Sequence, residues 1–301
     1  AKGGWEKNEN VKHFLSYAEK VTNELGDLID IVCTINEANL TACFAHSFQS
    51  YPEHGMKAIM PFIKEAAEEC GSTLENFGPF LFGHPFKIRD CMMEAHVKSV
   101  PIIKSILKNN QPVGVTLSIM DYQAAEDGEE MRDKAYAESV DCCLDQIVND
   151  DFVGVQMYTR HTYGPDGIIK PKADDPNMLV MGYEYYPESL ENVVRYVSSK
   201  IKTPIMITEN GIGTDDDNQR IEYLTTALQG LQNCLDDGID VRGYFCWSLL
   251  DNFEWLFGYK PRFGLVEVNR ETLDRTAKES FKFFKDGIDQ SAYFNFLIDL
   301  P

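Results

Sequence analysis

Five short apolar runs, each standing behind a stretch of helical spacing, constrain this chain more than any other feature. Val11, Phe14, Leu15, Ala18, Val21 and Leu25 recur at helical spacing, and Gly26 supplies a C-terminal stop. Ile31–Ile35 follows, apolar and β-branched, and ends abruptly in Asn36 and Glu37. A run without polar alternation suits a parallel strand, whose two faces are both covered by crossover helices. The same order returns in Val113–Ile119 behind Phe86–Leu107 and in Phe152–Met157 behind Glu129–Val148. It returns again in Pro204–Thr208 behind Glu188–Ile201 and in Val241–Leu249 behind Arg220–Leu235. Alternation of this kind predicts an α/β fold with a parallel sheet. A closed (β/α) barrel and an open doubly wound sheet both satisfy it, and periodicity does not separate them. Either places its site at the C-terminal ends of the strands. Asn36–Glu37, Tyr158 and Glu209–Asn210 stand at such ends.

Composition removes several function classes. With 28 Lys+Arg against 48 Asp+Glu, the 301-residue chain carries a net charge of −20, which opposes binding to nucleic acid. No run reaches the roughly 20 apolar residues of a membrane span, and no secretory signal pattern opens the sequence. Eight cysteines, among them the adjacent pair Cys142–Cys143 but no C-x-x-C, point to a reducing cytoplasm. No repeat or Pro/Gly/Ser linker divides the chain, so residues 1–301 read as a single domain. The histidines lack H-E-x-x-H spacing and read as surface or loop residues. Asp215-Asp216-Asp217 lacks the calcium-loop register and reads as the N-terminus of the next helix. Gly211-x-Gly213 lacks a third glycine. No metal and no cofactor are expected. The apolar stretch Tyr293–Ile298, inside a tail at 290–301, is expected to pack on the domain or on another subunit.

Glu37 and Glu209 each close a strongly apolar run, where a charge needs compensation. Alone, either reads as readily as a loop cap or an arginine partner. Two such carboxylates converging from different strands are what glycosidic cleavage requires: one protonates the leaving oxygen, the other attacks the anomeric carbon. A third segment favours that chemistry. Trp247-Ser248-Leu249-Leu250-Asp251-Asn252-Phe253-Glu254-Trp255 follows the last strand and sets two tryptophans beside carboxylates and an amide. Aromatic faces stack on pyranose rings while the polar groups bind hydroxyls.

These segments resemble family 1 glycoside hydrolases, retaining enzymes of the β-glucosidase/β-galactosidase type. The matching motifs are TINE at 34–37, ITENGI at 207–212, RGYFCWSLLDNFEW at 242–255 and RFGLVEV at 262–268. The likeness runs from Gly3-Gly4-Trp5 to about Lys285. It implies a (β/α)8 TIM barrel of which this chain shows strands four to eight. It also implies hydrolysis of unphosphorylated β-glucosides or β-galactosides without metal or organic cofactor. By the resemblance, Glu37 is the acid/base and Asn36 binds the sugar 2-hydroxyl. Glu209 is the nucleophile, oriented by Tyr158. Trp247 underlies the ring, and Glu254 with Trp255 recognises its 4- and 6-hydroxyl side.

The mechanism sets physical demands. Tyr158 is expected to favour the ionised Glu209, whose charge raises the pKa of Glu37. Retention calls for carboxylates about 5–5.5 Å apart. Three departures stand out. Ala38 replaces the proline of the family's Asn-Glu-Pro. Gln156-Met157-Tyr158 stands where many members read Asn-Tyr-Tyr, which leaves Gln156 without a role. Members also carry roughly 100 residues or more ahead of Gly3, about three βα units, with a Gln and a His-Trp pair that clasp the sugar. A second chain, a further segment or a second copy is expected to supply those strands. The alternative is a split member that serves as a binding or assembly subunit.

Overall fold

A computed structural model describes residues 3–50, 56–77, 83–172 and 175–289 of the chain. Strands Val32–Cys33, Val113–Ser118, Phe152–Met157, Ile205–Asn210 and Val241–Cys246 join in that order into one five-stranded sheet. The first two pair in parallel with Val32 opposite Val113, and the last two with Ile207 opposite Tyr244. Every residue of Val113–Ser118 and of Phe152–Met157 is buried, as the unalternating apolar pattern requires.

The helices Val11–Leu25, Pro85–Ile106, Ser189–Lys200 and Asp217–Asp236 occupy the expected stretches. Asp216 caps the last of them: its Oδ1 accepts from the amides of Asn218 at 3.0 Å and Gln219 at 3.4 Å. The acidic run there is therefore a helix start. The Glu129–Val148 stretch is not one regular helix. A π-turn at Ala137–Asp141 separates Glu129–Tyr136 from Cys142–Leu144. Within it the Ser139 hydroxyl donates back to Ala135 O at 2.5 Å, and the Ser139 carbonyl accepts from Asn39 Nδ2 at 2.9 Å. Sequence periodicity missed the helices Leu40–Ser50 and Met56–Glu69. It also missed the small sheet of Asp121–Ala124, Arg160–Gly164 and Gly167–Ile168.

The chain divides into two compact units. Ala1–Ser118, Tyr122–Gly154 and Thr162–Lys170 form the first, and the rest of the described chain forms the second. In the first, Ala18, Val100, Ile103 and Val113 make a core cluster flanked by Phe14, Val32 and Leu107. In the second, helix Ser189–Lys200 packs on helix Asp217–Asp236, and Leu190, Val193, Val194, Leu224, Ala227 and Leu231 on these helices are buried. Each leucine, valine or isoleucine among them contributes about 1.5–3 kcal/mol by leaving water.

Two histidines correct the expectation of surface placement. His96 lies fully buried on the Pro85–Ile106 helix, with Nδ1 2.8 Å from Thr34 Oγ1 and Nε2 3.0 Å from Asp150. His46 is buried 3.3 Å from Glu138, and burial lowers its pKa. The Thr34 bond offsets part of the cost of burying the His96 ring. All eight cysteines are free thiols. Among the described residues no helix is long and apolar enough to cross a membrane. Among the same residues no group of three or more His, Cys, Asp or Glu side chains is arranged to hold a metal. His54 and the 293–298 segment lie outside the described residues.

Candidate active site

Glu209 lies on the last strand residue but one of Ile205–Asn210, so it stands within the strand. Both of its oxygens are held. Gln156 Nε2 donates to Oε1 at 2.8 Å, and the Tyr158 hydroxyl donates to Oε2 at 2.5 Å. Gln156 and Tyr158 are two residues apart at the end of the neighbouring strand, and the period of two turns both toward the same carboxylate. That spacing was a legible signal for Gln156, which the sequence reading left without a role.

Asn210 points to the opposite face and is fully buried. Its Nδ2 donates to Met157 O at 2.8 Å and to the Tyr223 hydroxyl at 3.0 Å, and its Oδ1 accepts from Tyr244 at 2.9 Å. This anchoring fixes the strand end and with it the direction of Glu209. Gly211 is needed just beyond, because a Cβ there would lie 2.0 Å from Trp247 O. The close approach is part of the sheet pairing, in which Trp247 N donates to Asn210 O at 2.8 Å.

The aromatic segment is pinned by the RFGLVEV motif. Ser248 N donates to Phe263 O at 3.2 Å, Leu265 N to Ser248 O at 2.9 Å, and Asp251 N to Val266 O at 3.0 Å. Asp251, itself buried, accepts from Gly264 N at 2.8 Å and from Lys278 Nζ at 3.2 Å. The Trp247–Ser248 peptide is cis. Trp247 and Glu254 are half-buried, whereas Trp255 is 77% exposed.

Tyr158 acts on Glu209 in the expected direction, and burial acts against it. Burial raises the pKa of Glu209 above its ordinary value, Tyr158 lowers it and the nearby Glu254 raises it, with a net upward shift. Desolvation thus outweighs the tyrosine bond. Burial also raises Glu254. A raised carboxyl holds a proton in the folded chain that the unfolded chain releases. The stability this contributes is present at low pH and is lost as pH rises through the raised value. Glu209→Gln, which cannot ionise, is therefore expected to gain stability relative to the parent between pH 4 and pH 7. Thermal unfolding of both at the two pH values checks it; a relative loss at pH 7 contradicts it.

Asn36 and Glu37 lie in the first unit, in a turn between strand Val32–Cys33 and helix Leu40–Ser50. Asn36 is exposed and Glu37 half-buried. Glu37 adopts φ +49°, a left-handed conformation unfavourable for a residue with a Cβ. Asn39 anchors the turn, giving Nδ2 to Ser118 O at 2.7 Å and accepting from Ser118 N at 2.8 Å.

Known proteins share this sequence and architecture. A model of glycosyl hydrolase family 1 matches residues 1–164 and 169–292. The chain belongs to glycosyl hydrolase family 1. Its family 1 relatives include a bifunctional β-D-glucosidase/β-D-fucosidase of Bifidobacterium breve, 30% identical over 96% of this chain and 71% of that protein. β-Glucosidase A of Acetivibrio thermocellus is 26% identical over 97% of this chain and 71% of its own length. The crystal structure of the β-glycosidase BGL167 superposes with a TM-score of 0.87 at 38% identity, covering 97% of this chain and 69% of that one. The five parallel strands are accordingly a partial family 1 barrel sheet.

Proposed function

We propose that this family 1 β-glycosidase hydrolyses unphosphorylated β-glucosides or β-galactosides with retention, by double displacement on Glu209 and Glu37. The observation that carries the reading is the Glu209 carboxylate, held at both oxygens by Gln156 and Tyr158 beside Glu254. Two fixed donors leave a carboxylate oxygen oriented toward carbon 1 of a bound sugar. Glu209 attacks that carbon while Glu37 gives its proton to the departing oxygen, and a glycosyl ester forms. Glu37, now ionised, takes a proton from water, whose oxygen attacks carbon 1 and releases Glu209. Asn36 binds the 2-hydroxyl, Trp247 supports the ring, and Glu254 with Trp255 reads the far hydroxyls. A carboxylate at Glu254 repels a 6-phosphate, which supports the unphosphorylated substrate.

The full catalytic unit in this reading is a (β/α)8 barrel acting in the cytoplasm without cofactor or metal. Its remaining strands come from a further segment, a second chain or a second copy. The chain spans about 70% of its relatives' length, with values of 71% and 69%, and a second reading is weighed beside the first. In that reading it is an assembly or binding subunit with little activity alone. A panel of nitrophenyl β-glycosides, assayed on protein of verified intact mass, decides between the two. Turnover that Glu209→Ala abolishes supports hydrolysis, and no turnover leaves the subunit reading.

Tyr158→Phe removes one donor to the carboxylate. It is expected to lower kcat by about 100-fold. Because the hydroxyl holds the Glu209 pKa down, its loss moves the acidic limb of the kcat/KM profile to higher pH. A pH–rate profile checks both, and an unmoved limb contradicts the assignment.

A further inference from the structure

Thr116 lies in the middle of strand Val113–Ser118 and is 2% exposed. Its hydroxyl accepts the Glu37 amide at 3.0 Å and donates to Asn36 Oδ1 at 3.2 Å, with Ile35 O at 3.4 Å. Its carbonyl accepts the next amide, that of Ala38, at 3.2 Å, and its own amide donates to Ile35 O at 3.3 Å. One residue therefore receives two consecutive amides across the left-handed turn of Glu37 and also holds the neighbouring carboxamide. A backbone conformation of this kind persists only where its surroundings over-determine it. Ala38 matters to the arrangement, because a proline at that position offers no N–H. The amide that alanine supplies is the one bound to the Thr116 carbonyl, so hydrogen bonding here takes the place of a ring's stiffness.

We propose that Thr116 is the positioning residue of the acid/base. Through its hydroxyl it fixes the turn from which Glu37 delivers its proton. The proposal rests on the reading of Glu37 as acid/base.

Thr116→Val keeps the shape and removes the hydroxyl, leaving the Glu37 amide and Asn36 Oδ1 without that partner. Thr116→Ser keeps the hydroxyl and drops the methyl. Both are assayed in the full protein on glucosides of graded leaving-group acidity, from 2,4-dinitrophenyl to an alkyl alcohol, beside Glu37→Ala. A departing dinitrophenolate needs no proton, so its release reports Glu209 alone, whereas an alkoxide needs the acid. Thr116→Val is expected to lose about 10- to 100-fold in kcat/KM on the alkyl glucoside and less than about 3-fold on the dinitrophenyl one. Thr116→Ser keeps the parent's ratio between the two substrates. An equal loss on both substrates, or no loss, overturns the proposal. If the valine variant does not fold, the serine variant decides: a selective loss on the alkyl substrate there assigns the effect to packing and overturns it. Glu37→Ala separates the two claims. A parent-like ratio between the two substrates in that variant removes Glu37 as the acid, and the role of Thr116 falls with it. Selective loss in Glu37→Ala without selective loss in Thr116→Val refutes Thr116 alone.

Discussion

Replacing Glu209 with alanine is expected to lower kcat on a nitrophenyl β-glucoside by at least about 10,000-fold. The size of the effect follows from the role proposed for the side chain. Without it no covalent glycosyl intermediate forms, and the remaining groups bind the sugar without an attacking atom. The partners remain, since Gln156 and Tyr158 sit on the adjacent strand and Asn210 anchors the strand end from its other face. Folding is therefore expected to survive, and the near-ultraviolet circular dichroism stays that of the parent. Azide offers a sharper check. With the carboxylate gone, azide enters the space it vacated, bonds to carbon 1 of a dinitrophenyl β-glucoside and expels dinitrophenolate. The product is the α-glycosyl azide. A β-glycosyl azide, or parent-like turnover, contradicts the role given to Glu209.

Glu37→Ala is expected to produce the second large effect, and its pattern differs. On alkyl glucosides, whose leaving oxygen must be protonated, kcat/KM falls by about 100- to 10,000-fold. On a dinitrophenyl glucoside the first step proceeds nearly unimpaired, and the second, deprived of its base, becomes slow. A burst of dinitrophenolate followed by a low steady rate is the expected trace. Azide then attacks the accumulated glycosyl ester and yields the β-glycosyl azide, the opposite anomer to that from Glu209→Ala. Product analysis by proton NMR distinguishes the two, and an α-azide from Glu37→Ala contradicts the assignment.

Much of the candidate site was legible before the fold was known, because its residues lie at strand ends that announce themselves. Apolar β-branched runs mark Val113–Ser118 and Phe152–Met157, and polar residues beyond such runs mark Glu37, Tyr158 and Glu209. What the sequence hid depends on contacts between distant segments. Thr116 sits inside an apolar run, and nothing local says that its hydroxyl meets an amide 79 residues earlier. Gln156 carried a signal in its spacing from Tyr158, yet its partner is 53 residues away. Asn210 sits in the ITENGI motif, but its three buried bonds to Met157, Tyr223 and Tyr244 appear only in the fold. The net upward shift of Glu209 was hidden for a related reason. A hydrogen bond can be guessed from a nearby tyrosine, whereas the desolvation that outweighs it depends on everything packed around the carboxylate. His96 read as ordinary surface polarity because helical spacing does not reveal that Thr34 and Asp150 close on either side of its ring.

The central claim is a covalent intermediate on Glu209. Incubation with a 2,4-dinitrophenyl 2-deoxy-2-fluoro-β-glucoside, followed by peptide mass spectrometry, tests it most directly. The electron-withdrawing fluorine slows both steps, and the good leaving group lets the first proceed. The expected result is one fluoroglucosyl group per chain, esterified to Glu209 in the Ile207–Ile212 peptide. A label on any other residue, or release of dinitrophenolate with no label on the protein, contradicts it.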